Sequence, residues 1–244
     1  MDRYLLPPFP SAAPARTTDT CRMCRDGIRL SELLFAEIET NSARRRRRLR
    51  VWDRRCLFTT GQAAGVLTGH LEGITFIDSR GDGRYLISNG KDQSTKQWDI
   101  RKMTSTSPAF PSPRQRDFYW DYRLTDYPEE ERNLKHPHDQ SVATYKGHSV
   151  LYTLIRCYFS PAYSTGQKYI YTGSGDCIVY IYDLVSGHQV ARLGHHDEPV
   201  RDCSWHPFYP LMVTSSWDGV IAKWELPGDR KEKSSSRPRQ GKLS

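Results

Sequence analysis

An aspartate followed six residues later by an aromatic residue and an acid occurs three times in this 244-residue chain. Asp92 leads to Trp98-Asp99, Asp176 to Tyr182-Asp183 and Asp218 to Trp224-Glu225. Four residues before each aspartate stands a hydroxyl: Ser88, Thr172 or Thr214. A histidine lies further upstream, with His70 and His196 each 22 residues before their aspartate and His148 28 residues before its own. The six extra residues of the middle unit fall in the turn-like stretch FSPAYSTGQKY. Three copies in register mean a repeat array, and arrays bury their apolar faces by stacking each unit on its neighbour.

Short alternating runs such as Tyr85–Ile87, Tyr169–Tyr171 and Leu211–Val213 are separated by Gly, Asp and Ser turns. That pattern predicts small antiparallel sheets and an all-β fold. With Gly69-His70 and Trp98-Asp99 in one unit and Gly147-His148 and Tyr182-Asp183 in the next, the units resemble WD40 repeats. The third departs, with His195-His196 and Trp224-Glu225. The resemblance implies a β-propeller of four-stranded blades, with repeats over 51–226 and units at about 66–101, 142–183 and 189–226. It also implies a structural tetrad in each unit. These are His70, Ser88, Asp92 and Trp98; His148, Thr172, Asp176 and Tyr182; and His196, Thr214, Asp218 and Trp224. A Ser-His-Asp catalytic triad is the competing reading, but a triad occurs once and has an exposed serine. No Gly-x-Ser-x-Gly elbow is present. The chain is read as a non-enzyme without cofactor or metal.

The array is incomplete. Val51-Trp52-Asp53 sits where a preceding unit would end, yet residues 1–50 lack the Gly-His and Ser-x-x-x-Asp of a whole unit. Within them, GIRLSELLFAEIET (27–40) carries apolar residues at 30, 33, 34, 35 and 38, which predicts a helix. The expected fold is therefore a partial propeller: three full blades, the end of a fourth and a non-propeller N-terminal segment. Propellers close with about four to eight blades, so the chain reads as a truncated form of a longer, seven-bladed parent. Residues 102–141, rich in Pro, Ser and charge, read as an insertion loop between the first and second units. They contain Trp120-Asp121-Tyr122-Arg123, which mimics a repeat ending.

Trp98-Asp99-Ile100-Arg101 and Trp52-Asp53-Arg54-Arg55 share an arginine two residues after the Trp-Asp pair. Two successive endings of this kind resemble the paired motif of cullin-4 ubiquitin ligase substrate receptors. The resemblance implies docking by Trp52, Asp53, Arg55, Trp98, Asp99 and Arg101 on the ligase's adaptor, of the damaged-DNA-binding protein family. The box LISNGKDQSTKQWDIR departs at Asn89, Thr95 and Gln97, where small or aliphatic residues are usual, and this predicts looser strand packing. The implied function is a non-catalytic receptor that carries an unidentified target protein to the ligase. A general WD40 scaffold is the alternative.

The formal net charge of +8 comes largely from two flanks. Arg44 to Arg48 is an unbroken run followed by Leu49 and Arg50, and residues 227–244 form a basic tail expected to be disordered. No aromatic residues interleave with the arginines, which argues against direct nucleic-acid binding. The run reads as a solvated flank or a nuclear-import signal, so the expected location is nucleus or cytoplasm. No apolar run reaches the ~18 residues of a membrane span. The six scattered cysteines read as free thiols, and Cys21-x-x-Cys24 is half a zinc spacing without a second pair. His136 and His138, in the insertion, read as solvent-exposed.

Overall fold

The computed structural model describes residues 3–5, 34–38, 48–53, 63–104 and 120–225, and they form four small sheets. Strand β1 (Arg3–Leu5) is used by the last of them. The first blade is β2 (Leu34–Ile38), β3 (Arg48–Asp53) and β4 (Gly65–Thr68), paired in that order. The second blade is β5 (Ile74–Ser79), β6 (Tyr85–Gly90), β7 (Ser94–Asp99) and β8 (Ala143–Lys146). The third is β9 (Cys157–Phe159), β10 (Tyr169–Thr172), β11 (Ile178–Asp183) and β12 (Gln189–Gly194). The fourth is β13 (Val200–Trp205), β14 (Leu211–Ser216) and β15 (Ile221–Glu225), with β1 parallel to β15 on its outer side. These antiparallel sheets make the partial WD40-type propeller that the repeat spacing implied.

Each seam between blades has its own apolar core. Leu49, Val51 and Leu67 of the first blade meet Ile74 and Trp98 of the second. Ile87 and Tyr145 of the second meet Cys157, Phe159, Ile170 and Tyr182 of the third. Tyr169, Tyr171, Val179 and Ile181 meet Val200, Met212, Ala222 and Trp224 of the fourth. Middle strands are therefore covered on both faces, which explains the uninterrupted burial of β10, Tyr-Ile-Tyr-Thr. Strand β7, Ser-Thr-Lys-Gln-Trp-Asp, is buried throughout as well despite its polarity.

Two expectations need correction. The helix predicted over 27–40 is, in its described part, strand β2, pairing Leu34 with Asp53 through Ile38 with Leu49. A five-residue apolar run does not distinguish helix from strand, and the ladder offered by β3 decides. Next, the arginine run is not all flank: Arg48 and Arg50 lie in β3, Arg48 paired with β4 and Arg50 with strands on both sides. An import receptor reading that run would have to strip these residues from the sheet. The insertion between the first two units leaves and rejoins the fold between β7 and β8, inside the second blade.

The insertion leaves β7 through a 3-10 turn at Ile100–Lys102, and Thr104 then bridges to Val66 on the outer edge of the first blade. It returns at Trp120, which is buried with Tyr127 and Leu151. The Trp120 and Tyr127 rings meet edge-on at 5.0 Å. The Tyr122 ring lies 3.4 Å from the Lys91 ammonium, beside the β6–β7 turn. No helix among the described residues is long and apolar enough to cross a membrane.

Candidate docking face and its supporting tetrads

In the second blade the structure brings His70, Ser88, Asp92 and Trp98 together. His70 Nδ1 donates to Asp92 (3.0 Å), Ser88 Oγ donates to His70 Nε2 (2.8 Å) and Trp98 Nε1 donates to Ser88 Oγ (2.8 Å). This chain of bonds requires the Nδ1–H tautomer, and every polar atom in it has a partner. Its connectivity is that of a hydrolase triad, but Ser88 and His70 are fully buried and Ser88 already accepts from an indole. No substrate reaches that oxygen. Burial pushes the Asp92 carboxyl up, but the His70 ring, Leu71 N–H and Ser94 hydroxyl outweigh it and hold the carboxyl at about 2. Gly69 is glycine because a Cβ there would come 2.9 Å from the Trp98 ring.

The fourth blade repeats the set. His196 contacts Asp218 at 2.9 Å and Thr214 at 2.8 Å, and Trp224 donates to the Thr214 hydroxyl at 3.0 Å. His195, standing where the other units have glycine, lies 5.7 Å from the His196 ring.

The third blade does not repeat it. His148 Nδ1 accepts from the Tyr182 hydroxyl at 3.1 Å, and its Nε2 donates to Asn89 Oδ1 of the second blade at 2.9 Å. Thr172 donates instead to the Arg156 and Gly173 carbonyls, and Asp176 accepts from Tyr180 at 2.6 Å. The cause is the tyrosine. Its hydroxyl sits at the tip of the ring, where it takes the histidine nitrogen that an aspartate holds in the other units.

Asn89, Thr95 and Gln97 are the residues whose departure from the repeat pattern predicted loose packing, and the structure overturns that expectation. Asn89 is fully buried and also accepts from Thr95 at 3.1 Å and donates to the Ile155 carbonyl at 3.2 Å. Gln97 accepts from the Tyr145 hydroxyl at 3.0 Å. Asn89 on β6 thus bonds across the seam to the third blade. Thr95 and Gln97 of β7 support it through Asn89 and through Tyr145, whose hydroxyl reaches the Leu184 carbonyl at 2.7 Å. Removing a partner from such a network strands the rest at about 1–3 kcal/mol per group. Asn89→Ala should therefore lower the unfolding free energy by about 2–3 kcal/mol in urea titrations. A loss under about 0.5 kcal/mol would mean the seam is not held by these bonds.

The docking residues divide sharply by exposure. Trp98 and Asp99 are buried: Trp98 belongs to the tetrad and the first seam, and Asp99 holds the turn at the end of β7. Asp99 Oδ1 accepts from the Arg101 backbone N–H (3.0 Å), and the Arg101 guanidinium folds back on the same carboxylate at 3.2–3.3 Å. The Arg101 side chain is 46% exposed. Arg84, which the motif reading missed, clamps Asp99 Oδ2 through two further bonds at 2.9 and 3.1 Å. Its signal in the sequence was only a cation just before a strand whose first residue, Tyr85, pairs with Asp99. In the first blade Trp52 is half-buried and Asp53 ends β3, while Arg55 lies outside the described residues.

Asp121 and Arg123 reproduce the Asp99–Arg101 turn: Arg123 N and Nε reach Asp121 Oδ1 at 3.0 and 3.1 Å. The place differs. Arg84, Asp99 and Arg101 occupy one end of the β6–β7 hairpin, whereas Tyr122 rests on Lys91 at the turn of the other end. Six strand residues put those ends about 17–20 Å apart, on opposite faces. His136 is buried, contrary to expectation, and its Nδ1 accepts from the His138 backbone N–H at 3.0 Å. Cys21 and Cys24 lie outside the described residues, and no group of metal-ligating side chains occurs among the described ones.

The pattern of the family described as WD domain, G-beta repeat, matches residues 61–99, 139–183 and 187–225. A LEC14B homolog from Prunus armeniaca is 62% identical over 226 residues, 93% of this chain and 46% of the relative. LEC14B protein from Lithospermum erythrorhizon is 67% identical, over 74% of this chain and 38% of the relative. A DDB1- and CUL4-associated factor 11 homolog from Caenorhabditis elegans is 42% identical, over 80% of this chain and 35% of the relative. The chain spans less than half the length of these relatives.

Proposed function

Because the chain belongs to the WD40 repeat family, we propose that it is a non-catalytic receptor that docks on the adaptor of a cullin-4 ubiquitin ligase and presents a target protein. The carrying observation is the buried Asp99 that fixes Arg101 at the surface, with Arg84 as a second clamp. A guanidinium held this way offers paired donors to a partner's carbonyl or carboxylate with little rotamer freedom left to lose. Similarity to relatives named for association with DDB1 and CUL4 supports the reading. So does the resemblance of GHLEGITFIDSRGDGRYLISNGKDQSTKQWDIR and LIRCYFSPAYSTGQKYIYTGSGD to WD repeat-containing protein 23, also called cullin-4-associated factor 11. In this reading Arg55 supplies the matching anchor from the first blade, and the protein works in the nucleus or cytoplasm.

Pull-down from cell extract tests it. Arg101→Ala should weaken capture of the adaptor roughly thirtyfold, the ~2 kcal/mol of a hot-spot arginine. Adding Arg55→Ala should abolish capture, and neither change should move the melting temperature. Arg123→Ala, on the opposite face, should capture normally. Wild-type capture by the double variant would remove the ligase role and leave a general WD40 scaffold.

A further inference from the structure

On the face opposite Arg101, a cleft of about 550 Å³ opens between the second blade and the returning insertion. Its walls bring together three lysines from separate parts of the chain: Lys96 on β7, Lys146 on β8 and Lys135 in the insertion. Two carboxylates also line it, and both are already engaged. Asp92 is held by His70, Leu71 N–H and Ser94, and Asp139 by Lys96 (2.6 Å) and Ser141 N–H (2.9 Å). Lys135 has no acidic partner among the described residues, and Lys146 donates only to the Arg132 carbonyl. Thr144 and Ser141 add hydroxyls at the wall, and Thr144 accepts from Lys96 at 3.1 Å.

The cleft therefore carries more positive charge than its own acids neutralise. Burial, and then the like charges of Lys96 and Lys135, pull the Lys146 ammonium below the ordinary lysine value despite Asp92. His136 on the same wall is pulled down as well, by burial and then, against the pull of Asp139, by His138, Arg48 and Lys96. A compact dianion would relieve this mutual repulsion and accept from several ammonium and hydroxyl donors at once. The size is that of a small-ligand site.

We propose that this cleft binds a phosphate monoester, held by Lys135 and Lys146 with Lys96 and Thr144 behind them. The proposal stands apart from the docking face, since its residues lie at the other end of the hairpin.

The test is binding to the full chain at constant ionic strength, by calorimetry and thermal shift. The probes are inorganic phosphate, inositol hexakisphosphate, and a phosphoserine peptide beside its unphosphorylated twin. Phosphate compounds should bind and raise the melting temperature where chloride does not, and Lys135→Glu with Lys146→Glu should weaken binding at least tenfold. Both lysines are exposed, and the melting curve without ligand reports whether the double variant still folds. If that curve is lost, the single variants and Lys135→Gln/Lys146→Gln give the same comparison. Preference for the phosphoserine peptide would identify a phosphoprotein as the source, and preference for the inositol compound a soluble one. Equal binding of the unphosphorylated peptide, no binding of any probe, or unchanged affinity in folded lysine variants would overturn the assignment.

Discussion

Replacing Trp98 with alanine should lower the unfolding free energy by about 3–5 kcal/mol, close to the whole stability of a marginal domain. Its indole is completely buried and fills the seam against Leu49, Val51 and Leu67 of the neighbouring blade, so truncation opens a cavity between two sheets. It also takes from the Ser88 hydroxyl the donor at 2.8 Å, leaving only its bond to His70. The two losses fall in one place and should unravel the first seam before the others. Trp98→Phe keeps most of the volume and loses only the indole donor, for an expected cost of about 1–2 kcal/mol. Urea midpoints followed by circular dichroism separate these outcomes. A cost below about 1 kcal/mol for Trp98→Ala would mean the first and second blades do not depend on this seam. Trp224→Ala, in the equivalent tetrad of the fourth blade, should fall in the same range.

Acid should destabilise the protein well before its carboxylates titrate, and the third blade's seam is the reason. His148 is buried between two blades, and that burial holds its ring at about 4, against an ordinary 6.5, despite Asp176 and Asp92. Between those values the unfolded chain takes up a proton that the folded chain refuses. Stability therefore falls as the pH drops through this window, by about 3 kcal/mol in all. Protonation would also break the seam chemically, because Nδ1 accepts from Tyr182 and cannot do so once it carries a proton. Asp92 acts in a lower window. Its depressed carboxyl contributes stability above the ordinary 3.8 that is lost as the pH falls toward about 2. Urea titrations between pH 7 and 4 should show the first slope, and His148→Gln should flatten it while lowering the plateau. An unchanged slope in that variant would assign the acid sensitivity elsewhere.

The parts of the architecture legible in the sequence were those encoded by local spacing. His70 and His196 each stand 18 residues before their hydroxyl and 22 before their aspartate, and both tetrads assemble. Equal loop lengths return the same side chains to the same place in a blade, so a pattern in one dimension suffices. The Arg101 turn was legible for the same reason, since Asp99 bonds a residue only two positions away. The third tetrad failed where spacing and chemistry both changed: six more residues, and a tyrosine whose hydroxyl captures His148.

What only the tertiary structure decided involves partners far apart in the chain. Asn89 meets His148 across 59 residues, and Gln97 meets Tyr145 across 48. Read alone, a strand with Thr95 and Gln97 departs from its repeat and predicts loose packing. Packed between neighbours, it is buried because each polar group has found its counterpart. Leu34–Ile38 became a strand because β3 stood ready to pair with it. Arg101 and Arg123 have near-identical turns, yet the fold puts them on opposite faces. Spacing fixes how a residue sits within its own blade. Which surface it serves depends on where the chain returns, and that is set by packing energy summed over contacts no local pattern records.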